Sequence, residues 1–499
     1  MSGGIRIANT TLRNTIDSVR TPSTILLLSI LLPIIGVADD IPDRSAVLDS
    51  MKKGVLFLRT NLSVGGGYAS EWSKDRKEGR VEHGNSSTVI SIQPPGTTTL
   101  GLTFVEAYRA TDERLFVQAA REAAKALVWC QLSSGGWEDD FDFDMTFSSR
   151  RHYRRDVEAG DVDPGKRAHR STLDDNKTQS ALLFLLEYAQ TDAGKEDEEL
   201  AACLEFAWKG LLAAQYPNGA WPQQFDGPAP RDLPVVKATI PETWPREWPH
   251  EKYTGFYTLN DGNLERVMHL LLRAYELTGE ARFIDSAKKL GDFLLLAQFE
   301  GSQPAWSQQY DENMQPVWAR KFEPPALSST ESYSAIVALF RLWIATGEDK
   351  CIATLGPALD WLEKSQLEDG KWARFYELNT NKPLYCVAET YELTYDDSNT
   401  PSHYGFKISS LENKIERMRE DIARPHEEAA RRMAGPTQKE SWEKKARGVR
   451  GKVKDAMESQ NENGCWYSSD KIDATIFVKN LRVMAEYLDA LNQAEAIKN

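Results

Sequence analysis

The sequence predicts an all-α protein: an α/α toroid, that is, an incomplete ring of helical hairpins with a loop-borne active site on one rim. Three observations predict it. A Gln-x-x-x-Gly-x-Trp segment recurs as Gln131 to Trp137, Gln215 to Trp221, Gln366 to Trp372 and Gln460 to Trp466, with a looser, lengthened copy from Gln298 to Trp306. Each copy follows a stretch with apolar residues at three- and four-residue spacing, the pattern of an amphipathic helix. Each such stretch is preceded by another, often across a short turn such as Leu277-Thr-Gly-Glu280 or Ala345-Thr-Gly-Glu348. The unit is a hairpin of about 70 to 85 residues with its loops, and such units bury a continuous core by stacking.

Taken in order, the chain opens with Arg6, Arg13 and Arg20, then the apolar run from Thr24 to Ile35 and the small residues Gly36-Val37-Ala38. This is the pattern of a secretory signal peptide over residues 1–38. The run is short of the roughly 20 apolar residues that span a membrane, and no later segment reads as a span. Residues 39–499 are then expected to form a single toroid domain, secreted or periplasmic and monomeric. The helix pairs are 100–109 with 119–128, 180–189 with 200–212, 264–277 with 283–296, and 333–346 with 352–362. The repeat glycine is placed to stop each second helix in the left-handed conformation. Residues 409–459 are dense in Glu, Arg and Lys with few large apolar side chains, and read as an exposed helical insertion at the periphery. Whether the ring closes through a first helix near 47–62 stays open.

Composition narrows the function. With 41% apolar and 27% charged residues the chain is neither disordered nor fibrous. A net charge of −14 argues against a nucleic-acid binder but leaves room for a local basic site and an acidic substrate. The five cysteines match no zinc spacing and read as buried small hydrophobes, with one oxidised pair allowed after export.

In a ring of hairpins, every loop that leads from a second helix to the next first helix lies on the same rim. Helix amino termini gather there and favour anions. The repeat Gln and Trp residues either brace adjacent hairpins or offer aromatic faces to sugars. Three polar clusters fall on this rim: Thr172-Leu-Asp174-Asp175-Asn176, then Asn260-Asp261-Gly262, then Trp318-Ala-Arg320-Lys-Phe-Glu323-Pro-Pro325 closing with Glu331. Arg374 follows Trp372. Asp and Asn oxygens from several loops can hold a hard cation such as calcium, although each Asp alone also reads as a helix N-cap. The arginine-rich segment 145–170 is either a solvated loop or a contact for an acidic polymer.

The pieces Thr172-Leu-Asp174-Asp175, Tyr216-Pro-Asn-Gly-Ala-Trp-Pro-Gln223, Leu259-Asn-Asp261-Gly, Trp318 to Pro325 and Trp372-Ala-Arg374-Phe-Tyr-Glu377 resemble, in order and spacing, pectate lyases of polysaccharide lyase family 10. The resemblance covers about residues 172–377. It implies an incomplete α/α toroid and calcium-assisted β-elimination of polygalacturonate or a related acidic uronan. It also implies roles: Arg320 as catalytic base, Arg374 as a substrate-binding arginine, and Asp261 as a calcium contact. Asp174 and Asp175 match the family's Asp-Asn pair with Asp in place of Asn. The site set is then Arg320 for catalysis; Arg374, Asp174, Trp221, Asn260 and Glu323 for substrate; and Asp261 and Asp175 for metal. A third family arginine falls here at Cys386-Val-Ala388-Glu389, which carries none.

Elimination removes the C5 proton beside a carboxylate, and a cation on that carboxylate stabilises the charge that develops. Arginine is a base only at alkaline pH with local lowering of its pKa, so an alkaline optimum is expected. Triterpene cyclases share the Gln-Gly-Trp repeat but need an Asp-x-Asp-Asp acid motif, and Asp139-Asp-Phe-Asp142-Phe-Asp144 has the wrong order. Two further alternatives are a toroidal glycoside hydrolase using Asp174 and Asp261 as its carboxylate pair, and a binding protein that has lost turnover.

Overall fold

The computed structural model describes residues 41–497. The expected signal peptide lies outside the described residues. From Pro42 onward these residues form one compact unit.

The ring begins with α1 (Arg44–Asn61). Four hairpins follow: α2 (Thr97–Thr111) with α3 (Arg114–Cys130), α4 (Lys177–Tyr188) with α5 (Glu198–Ala213), α6 (Asn263–Thr278) with α7 (Ala281–Ala297), and α8 (Ser329–Thr346) with α9 (Leu355–Lys364). Two short helices, α10 (Glu412–Ile422) and α11 (His426–Ala434), precede the last pair, α12 (Lys439–Glu458) and α13 (Ala474–Ala496). Helices α13, α2, α4, α6 and α8 pack side by side in that order as an inner arc. Nearly every residue of α4 is buried, as an inner position requires. Beyond α8, α11 packs on α8 and α10 on α9, with His426 against the Trp343 carbonyl. The architecture is an all-α toroid, and sheet among the described residues is limited to short antiparallel strands, in sheets of two or four.

The repeat is a brace. In all four regular copies the Gln side-chain amide donates to the glycine carbonyl four residues on, and the Trp indole donates to the carbonyl ten residues back. The same Gln amide reaches the next outer helix or the residue before it: Gln131 to Cys203, Gln215 to Ser286, Gln298 to Thr354 and Gln460 to Ser50. The last of these closes the first helix onto the final hairpin. Trp221 is fully buried with its indole on the Leu211 carbonyl. It therefore has no face for a sugar, which corrects its place in the substrate-binding set.

Two other expectations change. The repeat glycine does not cap the helix, because α3 has already ended at Cys130, with Gln131 extended. Gly135 and Gly219 instead take φ of 109° and 98° in the turn that follows. A Cβ on Gly219 would lie 1.9 Å from the Lys289 carbonyl of α7, so only glycine lets the turn approach the neighbouring helix. Within the expected peripheral insertion, α12 is a ring helix: it packs along α13 and supplies the Ala456 carbonyl to Trp466. Its buried face is Ala446, Val453 and Ala456, too small to register as an apolar stripe. All five cysteines are buried and free. Among the described residues no helix is long and apolar enough to cross a membrane.

Candidate active site on the loop rim

Two of the polar clusters fold into the same turn. Leu173-Asp174-Asp175-Asn176 and Leu259-Asn260-Asp261-Gly262 each make one turn of 3-10 helix ahead of α4 and α6. Asp175 and Asp261 have φ of 46° and 51°, and Asn176 and Gly262 have φ of 65° and 70°. Asp and Asn tolerate this left-handed region better than most residues. Neither α4 nor α6 has a side-chain cap hydrogen bond, so these aspartates are not N-caps. The turns bring one carboxylate oxygen each of Asp174, Asp175 and Asp261 within 4.8 Å of one another.

The acidic cluster carries more negative charge than its surroundings neutralise. Burial first, then the neighbouring Glu331, Asp175 and Asp174, push the Asp261 carboxyl up to about 7. Burial and Asp174 also raise the pKa of Asp175. Glu331 is buried and accepts the Asp261 backbone N–H at 3.2 Å. Asn260 is 2% exposed, and its Oδ1 has no hydrogen-bond partner. Three carboxylates and a spare amide oxygen, all hard donors, fit a hard divalent cation.

The cations stand around this cluster. Lys177 is almost wholly buried and pairs with Asp139. It lies 3.4 Å from Glu82 and 4.0 Å from both Asp174 and Asp175. It thereby occupies a second acidic group, Glu82, His83 and Asp139. Arg374 sits 3.9 Å from Asp261 through Nη1. Its Nε donates to the Gly405 carbonyl at 2.9 Å, and Nη2 makes no hydrogen bond among the described residues. Burial works against the charge of Arg374, but Glu331, Tyr404, Asp261 and Glu323 outweigh it.

Arg320 is gripped by Glu323. Its Nε and Nη2 donate to the two carboxylate oxygens at 2.8 and 2.5 Å, and its backbone N–H donates at 3.0 Å. Nη1 is left without a hydrogen bond among the described residues. Burial would ease proton loss from Arg320, but the hydrogen bonds and charge of Glu323 overcome it and raise the pKa. Glu323 is 2% exposed, so it supports Arg320 from beneath rather than meeting substrate, which corrects its place in the substrate-binding set.

Several site residues escaped the motif reading. Extending the repeat two residues past its tryptophan gives three of them, Asp139, Gln223 and Gln308, in register with Arg374, which the motifs had already singled out. Asp139 pairs with Lys177, Gln223 donates to Asp174 Oδ1 at 2.8 Å, Gln308 lies against Glu323, and Arg374 approaches Asp261. That register was readable from aligned repeats. Tyr404 carried no signal at all. In segment 145–170 most arginines are taken up locally: Arg151 by Glu138 and Asp140, Arg154 by Glu158, Arg167 by Asp161 and Arg170 by Asp226. Arg155 lies over the rings of Trp129 and Tyr153.

Solved structures similar to this chain include a variant family 10 polysaccharide lyase from Cellvibrio cellulosa in complex with trigalacturonic acid. That match has 18% identity and a TM-score of 0.44, over 60% of this chain and 92% of that one. A cellobiose 2-epimerase from Bacillus thermoamylovorans matches at 13% identity and a TM-score of 0.46, over 89% and 98%. A glycoside hydrolase family 76 mannosidase from Bacteroides thetaiotaomicron matches at 11% identity and a TM-score of 0.44, over 91% and 99%. No curated protein matches the sequence. Residues 145–371, the segment that holds the three aspartates, Arg320 and Glu323, match the family model of pectic acid lyases. That segment is thus similar to pectic acid lyases, and the protein is a polysaccharide lyase.

Proposed function

We propose that the protein cleaves polygalacturonate, or a related acidic uronan, by calcium-assisted β-elimination in a secreted or periplasmic setting. The observation that carries this reading is the acidic cluster of Asp174, Asp175 and Asp261 flanked by two arginines that each keep a free nitrogen. Asp175 and Asp261 would hold calcium, with Asp174 and Asn260 beside them; bound there, the ion would draw charge from the uronate carboxylate and make the C5 proton more acidic. Arg374 Nη2 pairs with a uronate carboxylate and orients the ring, and the Lys177 ammonium, 4.0 Å from both Asp174 and Asp175, offsets part of the cluster's negative charge. Arg320 Nη1 takes the C5 proton. The C5–H electron pair becomes the C4–C5 double bond, the C4–O4 bond breaks, and the departing oxygen takes a proton from solvent. Atoms and charge balance with no co-reactant.

Because Glu323 stabilises the charged form of Arg320, the neutral base is scarce at neutral pH. Activity should therefore climb through the alkaline range without an early plateau. The test is ultraviolet absorbance of the unsaturated product from polygalacturonate, with calcium, with chelator, and with Arg320→Ala. A calcium-dependent rise, reduced at least about a hundredfold in the variant, is expected; full activity in the variant or in chelator sinks the reading. One observation favours a second reading. An Asp261 carboxyl with a pKa of about 7 is protonated at mildly acidic pH, as the acid of a glycoside hydrolase must be. Saturated reducing ends in place of unsaturated ones would select it.

A further inference from the structure

We propose that Tyr404 is a positioning residue of this site, whose hydroxyl ties the carboxylate beneath Arg320 to Arg374 and so fixes the two arginines relative to each other. The inference rests on the lyase reading above. Tyr404 comes from a segment that leaves the strand Pro383–Cys386 and returns to pair Lys407–Ile408 with Trp372–Ala373. That pairing sets the Phe406 carbonyl on the Arg374 backbone N–H at 2.8 Å and the Gly405 carbonyl on Arg374 Nε. The backbone thus delivers residue 404 opposite Arg374 whatever the loop does farther out.

The hydroxyl lies between the two arginine assemblies. It donates to Glu323 Oε1 at 3.0 Å and accepts from Arg374 Nη1 at 3.2 Å. The Arg374 and Arg320 guanidinium carbons lie 4.6 and 5.6 Å from the centre of the phenol ring. Phe322 packs on the same ring at 4.6 Å. Glu323 thus receives four donors: three from Arg320 and one from Tyr404. A carboxylate so held cannot rotate, and the guanidinium clamped to it keeps Nη1 on one bearing. The segment that delivers Tyr404 also contains Ala388, where a third arginine was expected and is missing. A phenol that fixes two existing cations is what this segment contributes.

A group that aligns a base acts on turnover more than on substrate affinity. Tyr404→Phe keeps the ring and removes the hydroxyl. We expect kcat on polygalacturonate to fall about tenfold, with KM within about twofold and thermal stability unchanged. The same substitution in a Glu323→Gln background should lose less than about twofold further, because the two act as one unit. Should Glu323→Gln fail to fold, Arg374→Lys supplies the second background, with the same non-additivity expected. Wild-type kcat in Tyr404→Phe, a change in KM alone, or a full tenfold loss repeated in either background overturns the inference. A wild-type protein that forms no unsaturated product overturns the lyase reading, and this inference with it.

Discussion

Asp261 bears its charge at a cost set by its neighbours. Buried beside Glu331, Asp175 and Asp174, its carboxyl titrates at about 7, well above the usual carboxylate range. Below that pH a proton competes with any cation for the oxygen; above it, the carboxylate is free. Calcium affinity should therefore fall about tenfold per pH unit below pH 7 and level off above it. Calorimetric titration of the metal-free protein at several pH values checks this, and an affinity flat across that range would count against Asp261 as a ligand. The paired turns at Asp175 and Asp261 and the two arginines were legible because short motifs carry them. Lys177 was not, since a lysine beside two aspartates ordinarily points to water. Tyr404 was not either, because it lies 30 residues from Arg374 in sequence, in a segment without periodicity.

Among the elements, the brace decides how well neighbouring hairpins hold. Gln215 donates to the Gly219 and Ser286 carbonyls and accepts the Ser286 hydroxyl, all within the core. Gln366 occupies the same repeat position but meets only its own glycine carbonyl, at the surface. Gln215→Ala leaves buried groups unpaired and should cost about 2 kcal/mol, whereas Gln366→Ala should cost about 0.5 kcal/mol or less. Urea unfolding of the two variants measures the difference, and equal losses would refute the brace. Helix positions were legible because each outer helix pairs an apolar stripe with a repeat. α12 was misread because its buried face is alanine and valine, a face that hydropathy does not distinguish from solvent-exposed helix.

Across the whole molecule, the inner arc is cross-tied as well as packed. Glu187 of α4 pairs with Arg109 of α2 at 2.6 Å and with Arg273 of α6 at 2.5 Å, so one buried carboxylate links three consecutive inner helices. Glu187→Ala removes the carboxylate that ties the three helices, although Arg273 keeps Glu276 and Arg109 keeps the residue-187 carbonyl, and should destabilise by about 2 kcal/mol, read as a lowered denaturation midpoint with cooperativity retained. Ring closure was the feature least open to sequence reading, because it joins residues 410 positions apart through Gln460 and Ser50. It is seconded by Arg44, which bonds Glu495 at 2.8 Å, and by Tyr487, whose hydroxyl donates to the Pro42 carbonyl at 3.0 Å. The two ends of the described residues therefore meet. A fold whose ends touch has no privileged starting point. Joined by a short linker and opened in the exposed stretch between α11 and α12, the same residues in rotated order should rebuild the same ring. The rim would then keep its arginines and aspartates, which would still emerge in the same order during synthesis, but only after the last hairpin has been made.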